Sequence, residues 1–130
     1  MATPNVNFGN GVRRTPRFRV NLPIKLFASV KQRSCVLQGC THDLSEDGVA
    51  IYIPMELQAG SDVRIEFVAP ETQQHIDIQG VVRTSSGFRC GIEFRDLTPD
   101  DQAVLQRQCD ALATVSQKRM DQRLTLRLNH

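Results

Sequence analysis

Aromatic residues are scarce in this sequence, which has no tryptophan, one tyrosine and six phenylalanines. Small β-barrels that bind single-stranded nucleic acid stack the bases on several exposed aromatic side chains. Phe18, Phe67 and Phe94 alternate with polar neighbours and are therefore expected to face a core. The aromatic side chains left for a surface are Tyr52, Phe27 and Phe88. That number is too small for a stacking platform, so the sequence predicts no binding of DNA or RNA.

Acidic residues are absent from the first 42 positions, although the same segment carries seven basic residues. The basic residues are Arg13, Arg14, Arg17, Arg19, Lys25, Lys31 and Arg33. The rest of the chain has nine basic and fourteen acidic residues, so the net charge of +2 conceals a strongly basic beginning. Positive charge concentrated at one end favours an anionic partner.

Long apolar runs are also missing, both at the N-terminus and further along the chain. A transmembrane helix needs about 20 consecutive apolar residues, and a signal peptide needs a shorter apolar stretch near the N-terminus. The four cysteines show neither the spacing of a disulfide framework nor that of a zinc site. We therefore expect a cytoplasmic protein with reduced thiols and no membrane insertion.

Six segments alternate between apolar and polar residues, the pattern of half-buried strands. The clearest runs from Phe18 to Leu26, and Pro23 on its outward parity indicates an edge or a bulge. The other segments lie within 34–41, 49–53, 63–67, 76–82 and 90–94. Short strands at even spacing, with no helix between them, predict an antiparallel barrel that is closed or nearly closed.

The apolar period changes after the sixth strand. Thr98 is a typical N-cap, Pro99 suits the first helical position, and acidic residues follow in the first turn. A stripe that can lie on the barrel is formed by Leu105, Cys109 and Leu112. The pattern predicts a helix that ends at about Arg119.

A chain of 130 residues is long enough for one core but not for two. The patterns divide it into a flexible tail at 1–12, a domain at 13–119 and a C-terminal tail at 120–130. Within the domain we expect an arm at 13–17, a barrel at about 18–97 and the helix at about 99–119. The predicted fold class is mainly β, with a C-terminal α-helix.

The segment from Asp43 to Gly48 precedes the third predicted strand and reads as a turn with the pattern D-x-S-x-x-G. Asp43 offers a carboxylate, Ser45 a hydroxyl group, and Gly48 a backbone that a ligand can approach closely. A surface turn with these groups can grip a small polar ligand. The same residue types also favour an ordinary hairpin turn for conformational reasons alone.

A second motif, R-x-x-x-R, is formed by Arg13 and Arg17 just before the first predicted strand. Such a basic arm could simply be solvated, or could attract phosphates through charge alone. Taken with the D-x-S-x-x-G turn and with the segment 91–94 (Gly-Ile-Glu-Phe), the arm resembles the PilZ domain over about residues 12–115. That family binds the bacterial second messenger cyclic di-GMP through these two motifs. The resemblance implies a six-stranded barrel with a C-terminal helix, and a receptor that is not an enzyme and needs no cofactor besides this ligand.

The resemblance also implies roles for the arm. Arg13 and Arg17 would take guanine O6/N7 edges and phosphate oxygens, a geometry that suits the planar fork of arginine. Arg14 could supply a third fork or a plane that stacks on a base.

The residues of the turn receive complementary roles. Asp43 only accepts hydrogen bonds and matches guanine N1–H and its exocyclic amine. Ser45 would bond phosphate or base, and Gly48 would leave room for the ligand. Because we expect the turn at the surface, substitution of Asp43 should weaken binding and leave stability nearly unchanged.

Other combinations of reactive side chains are not expected to form sites. Cys35 and Cys40 have opposite strand parity, and Cys90 and Cys109 lie on core positions, so we predict no metal site.

His42, Asp43 and Ser45 mimic a catalytic trio only in sequence, because neighbours on a strand point to opposite faces. The sequence therefore predicts no catalytic residue.

A lone binding domain has no output of its own, so we expect a downstream protein partner that receives the signal. The alternative is a PilZ-like adaptor that acts through protein–protein contacts without a nucleotide. In the first case the arm would be open without ligand, because its like charges repel one another, and would close on the bound dinucleotide.

Overall fold

The computed structural model describes residues 15–69 and 72–128, which form seven strands and one helix. The strands are β1 (Phe18–Arg19), β2 (Pro23–Val30), β3 (Arg33–Leu44), β4 (Gly48–Tyr52), β5 (Asp62–Val68), β6 (His75–Ser86) and β7 (Arg89–Arg95). The helix is α1 (Pro99–Leu128).

Six of the strands form a closed barrel in which every pairing is antiparallel. The order β3-β2-β5-β6-β7-β4 closes because β4 pairs back with β3. The two-residue β1 pairs with the last residues of β3 and continues the line of β2. The predicted six-stranded barrel with a C-terminal helix is therefore confirmed.

The sequence predicts one continuous strand over Phe18–Leu26. In the structure this segment is interrupted between β1 and β2. At this break two backbone bonds to β3 remain, from the Thr41 N–H to the Leu22 carbonyl at 2.9 Å and from the Val20 N–H to the His42 carbonyl at 3.4 Å. The hydroxyl of Thr41 completes the pairing: it accepts from the Leu22 N–H at 2.8 Å and donates to the Val20 carbonyl. Thr41 is buried, so these bonds satisfy polar groups that would otherwise be costly to bury. The interruption comes immediately before Pro23, the residue at which the sequence predicted an edge or a bulge.

The core is aliphatic, and each barrel strand contributes at least one fully or nearly fully buried side chain. Examples in chain order are Leu26, Leu44, Ile51, Ile65, Ile78 and Ile92. Complete burial of one such side chain stabilises a fold by roughly 1.5–3 kcal/mol. Cys90 lies on the same inward parity of β7, and burial raises the pKa of its thiol to about 11. The expectation that this cysteine acts as a small core residue is confirmed.

The aromatic side chains divide largely as the sequence predicted. Those associated with the core are Phe18, which is partly buried, and Phe67 and Phe94, which are buried. Tyr52 and Phe88 are exposed. Phe27 is partly buried, because the guanidinium of Arg64 lies 3.8 Å above its ring.

Helix α1 begins with the predicted cap. The Asp101 N–H donates to Thr98 Oγ1 at 3.0 Å, and the Thr98 N–H donates back to Asp101 Oδ2 at 3.3 Å. This reciprocal arrangement is a capping box. Leu105 and Cys109 are buried and Leu112 is partly buried, so the first half of the helix packs on the barrel as expected.

The helix ends at Leu128 instead of near Arg119, so the predicted tail at 120–130 is helical over most of its length. No glycine or proline follows Pro99, and most residues after it are good helix formers, so nothing in the sequence stops the helix earlier. Among the described residues, no helix has both the length and the apolar character required to cross a bilayer.

Candidate functional site

The D-x-S-x-x-G segment connects β3 to β4, and its serine holds the turn together. Ser45 Oγ accepts from the Gly48 N–H at 3.1 Å and from the Asp47 N–H at 3.3 Å, and donates to Asp47 Oδ1 at 2.6 Å. The Ser45 N–H also donates to the Gly48 carbonyl at 2.9 Å. Only 1% of Ser45 is exposed. In this state the hydroxyl group is used within the turn itself.

Asp43 belongs to β3, one residue before the strand ends, and lies between β1 and β4 in the register of the sheet. It is only 6% exposed. The expectation that Asp43 and Ser45 lie at the surface is therefore wrong. The reason is that the strand extends further than the alternation of residues suggested, and β1 covers its end.

The carboxylate of Asp43 brings the two sequence motifs together. Its Oδ1 accepts from Arg17 of the arm at 3.2 Å, across 26 positions of sequence. Its Oδ2 accepts from His42 Nδ1 at 2.8 Å and lies 3.8 Å from a guanidinium nitrogen of Arg89. A buried carboxylate needs such partners, because an unpaired charge is costly to bury.

His42 reaches Asp43 although it is the preceding residue on the same strand. The pairing of β3 with β4 shifts register between Thr41 and Asp43, so a bulge at His42 turns both side chains to one side. The expectation that they face opposite ways is therefore wrong. They still form no trio with Ser45, whose hydroxyl group bonds within the turn instead.

Gly48 is required by the packing of β4 on β7. A Cβ atom at this position would lie 2.5 Å from the Ile92 carbonyl oxygen, closer than any side chain can approach. Gly91 on β7 is similarly restricted, because a Cβ there would collide with the Thr84 hydroxyl. Gly48 thus allows the close approach of β7, and Gly91 that of Thr84 on β6. Neither glycine adds a side chain to the outer face of the sheet.

A cleft with a volume of about 610 Å³ lies on this outer face, beside the arm. Its wall includes Arg17 from the arm and small residues of the sheet such as Gly48, Ala50 and Gly91. Sites for small ligands commonly have volumes of about 300–1,000 Å³. The cleft is therefore large enough for a nucleotide-sized ligand.

Among the residues that the structure describes, three arginines line the cleft, and they come from three different parts of the chain. Arg17 lies in the arm, Arg83 on β6 and Arg89 at the start of β7. Asp47 and Glu93 are the acidic residues in the described part of the wall. Arg83 is paired with Glu93, because its Nε donates to Glu93 Oε1 at 2.7 Å. An anion would therefore meet positive charge mainly from Arg17 and Arg89.

The residues predicted for the site fall into three groups. Arg13 and Arg14 lie outside the described residues. Arg17 and Gly48 line the cleft. Asp43 and Ser45 lie behind its wall, the first against Arg17 and the second inside the turn.

Sequence reasoning missed Arg83 and Arg89. Arg83 follows the buried Val82, and Arg89 precedes the buried Cys90. The local sequence therefore indicates only that both side chains face outwards. Their place beside the arm depends on the pairing of β7 with β4, which brings Arg89 opposite Tyr52.

In the described part of the chain, no group of three or more histidine, cysteine or acidic side chains is placed to hold a metal ion. Cys109 is buried against the barrel, and its pKa is raised to about 12 by burial, with a smaller contribution from the carboxylate of Glu46. A thiol of this kind remains protonated near neutral pH and serves as a core side chain.

Comparison with known proteins relates this architecture to one family. The family model of the PilZ domain matches residues 12–111. No curated protein matches the chain.

Solved structures with the same fold include a PilZ domain of CeSA from a cellulose-synthesizing bacterium, with 18% identity and a TM-score of 0.60. That likeness covers 75% of this chain and 98% of the other. The PilZ domain of YcgR from Escherichia coli, solved with c-di-GMP, has 19% identity and a TM-score of 0.65, over 84% of this chain and 97% of that one. The MrkH–c-di-GMP complex from K. pneumonia has 18% identity and a TM-score of 0.68, over 83% of this chain and 55% of that one.

Proposed function

Because the chain belongs to the PilZ domain family, we propose that it is a receptor for cyclic di-GMP. The observation that carries this proposal is the ion pair between Arg17 and Asp43, which joins the family's two ligand motifs at the edge of the cleft. Two structural neighbours, YcgR and MrkH, were solved with this ligand. The proposed function involves no catalysis.

The chemistry of the cleft suits a dianionic dinucleotide. Arg17 presents a planar fork that can meet a phosphate, or the O6 and N7 atoms of a guanine, in a bidentate way. The floor formed by Gly48, Ala50 and Gly91 carries no bulky side chain that would keep a flat base from the sheet. Arg13 and Arg14 would add positive charge from the arm, as the family motif implies.

In the proposed complex, the buried Asp43 orients Arg17 towards the ligand, and direct acceptance from a guanine edge would require it to exchange one of its present partners. Ser45 keeps the turn in the shape that lets Gly48 contact the ligand. The signal would then pass to a protein partner through a change in the position of the arm.

Calorimetric titration with cyclic di-GMP, with GTP and cyclic GMP as controls, tests the proposal directly. We expect saturable binding of the dinucleotide and much weaker binding of either mononucleotide. Equal binding of all three nucleotides would contradict the assignment. Absence of any binding by the wild-type protein would instead favour an adaptor that acts without nucleotide.

Arg17→Ala should weaken binding of cyclic di-GMP by about tenfold or more, since one bidentate arginine contact is worth roughly 1–3 kcal/mol. The matched control is Arg19→Ala, which removes the same charge two residues further on. Arg19 is exposed and does not line the cleft, so its loss should change the Kd by less than about threefold. Equal losses for the two variants would mean that only the net charge of the arm matters.

A further inference from the structure

The three arginines of the cleft differ in how firmly they are already bonded. Arg83 makes a short pair with Glu93, and Arg17 donates to Asp43 at 3.2 Å. The guanidinium of Arg89 comes no closer than 3.8 Å to Asp43. The side chains of Arg83 and Arg89 are similarly exposed, at 54% and 51%, so the distance to the acidic partner is what separates them. Within the described residues, Arg89 is thus the cleft arginine with the weakest attachment to an acidic partner.

The contact between Arg89 and His42 does not change this. The distance between the guanidinium nitrogen and His42 Nδ1 is 3.5 Å. Because Asp43 can only accept, His42 Nδ1 must carry the proton that it donates to Asp43 at 2.8 Å. Two donors face each other across the 3.5 Å gap, so Arg89 gains no hydrogen bond there.

Arg89 nevertheless has a defined position, because the sheet fixes its backbone. It is paired with Tyr52 of β4, and the adjacent Ile53 N–H donates to the Phe88 carbonyl at 2.9 Å. Two residues further on, Gly91 lies opposite Ala50 in the floor of the cleft. Arg89 therefore projects from the barrel wall at one end of that floor.

Asp43 relates this arginine to the arm. One carboxylate oxygen bonds Arg17, and the other lies nearest Arg89, so the two cations lie on either side of one buried anion. A single carboxylate thus lies within ion-pair distance of two guanidinium groups that come from distant parts of the chain.

We propose that Arg89 is a ligand-binding residue supplied by the barrel, which contacts a phosphate or a guanine O6/N7 edge of the dinucleotide together with Arg17. Asp43 is the positioning residue for both arginines. This inference rests on the proposed function, and it adds a contact that belongs to neither the arm nor the turn. Since Arg89 is held by the sheet, its contact is available whatever the position of the arm.

The test compares Arg89→Ala with Arg83→Ala in calorimetric titrations with cyclic di-GMP. Both variants remove one arginine from the same cleft, but Arg83 is already committed to Glu93. We expect Arg89→Ala to raise the Kd about tenfold and Arg83→Ala to raise it less than threefold. If the wild-type protein binds and the two variants bind alike, the inference is overturned while the proposed function stands. If the wild-type protein does not bind, the proposed function itself fails.

Arg89→Lys keeps a positive charge beside Asp43. It therefore separates an effect on binding from an effect on folding. Binding that is weakened in both Arg89 variants assigns a bidentate contact, whereas weakening in the alanine variant alone assigns a contact with phosphate charge. Wild-type affinity in both variants overturns the proposal. The melting temperature of each unliganded variant should stay within about 3 °C of wild type, because the side chain is exposed.

The positioning role of Asp43 predicts coupling. In an Asp43→Asn background, Arg89→Ala should raise the Kd by clearly less than it does in the wild-type background, because the negative charge that attracts the Arg89 guanidinium towards Arg17 is then absent. Strictly additive effects in this double-mutant cycle would remove Asp43 from the proposal and leave Arg89 in it.

Discussion

At the scale of single residues, Asp43 links the stability of the barrel to its site. It is buried at the end of β3, and its two oxygens accept hydrogen bonds from Arg17 and His42. A residue placed in this way cannot be removed without a cost to the fold, whatever its role in binding. The expectation of a purely functional surface residue must therefore be revised.

Asp43→Ala should lower the free energy of unfolding by about 1–3 kcal/mol, because it leaves the partly buried His42 and Arg17 without their acceptor. Denaturation in urea measures this change. The control is Asp62→Ala, since Asp62 is exposed at the start of β5 and its loss should matter within about ±0.5 kcal/mol. An Asp43→Ala variant as stable as the Asp62 variant would show that the bonds seen here contribute little.

The residues of the two motifs were easier to recognise in the sequence than their geometry was to predict. The spacing of arginines, aspartate, serine and glycine is visible in the sequence, and the structure does bring Arg17 to Asp43. The contact between His42 and Asp43 was not predictable, because it depends on a bulge that no residue type announces. Arg89 was equally hidden, since an isolated outward-facing arginine is an ordinary surface residue until its strand neighbours are known.

At the scale of elements, the β6–β7 hairpin carries one buried and one exposed phenylalanine. Phe94 points into the core and is 7% exposed, whereas Phe88, near the start of the same strand, is 67% exposed. The two phenylalanines therefore allow a packed ring and a solvated ring to be compared within one hairpin.

Phe94→Ala should destabilise the protein by about 3–5 kcal/mol, through lost burial and the cavity left behind. The identical change at Phe88 should cost less than about 0.5 kcal/mol. Thermal or chemical unfolding of the two variants measures the difference. Comparable losses at both positions would mean that Phe88 packs against part of the protein in solution.

Strands were predictable because their apolar residues recur at every second position, and β5 and β7 differ from prediction by one residue or less at each end. Element ends were harder. β1 and β2 separate where the Thr41 hydroxyl replaces a backbone partner, a tertiary event that periodicity does not report. The prediction ended the helix near Arg119 because the apolar stripe fades there. The helix propensity of the residues does not fade, and α1 runs on to Leu128.

At the scale of the whole molecule, the described part of the arm contacts the barrel through the ion pair between Arg17 and Asp43. Arg17 therefore gains an ionic hydrogen bond by lying on the barrel, an attraction that opposes the repulsion among the positive charges of the arm. A ligand-driven change of the arm would have to break this bond or to move the residues before Arg17, among them Arg13 and Arg14.

Limited digestion with trypsin tests that change, because Arg13, Arg14 and Arg17 are all cleavage sites. Saturating cyclic di-GMP should slow cleavage in the arm severalfold, since charge-assisted bonds to the ligand hold it closed. Cleavage after Arg123 and Arg127 in α1 provides an internal reference and should not change. Equal rates in the arm with and without ligand, at proven saturation, would mean that the signal leaves by another route.

The pairing of β4 with β3 has a consequence for how any partner can recognise this protein. A sheet that closes on itself offers no long row of unpaired N–H and C=O groups, and β1 leaves an edge only two residues long. Partners that dock by adding a strand therefore have no template on the described barrel. A partner that binds the described barrel would therefore contact its side chains, whose positions can change while the backbone hydrogen bonds between the strands stay intact.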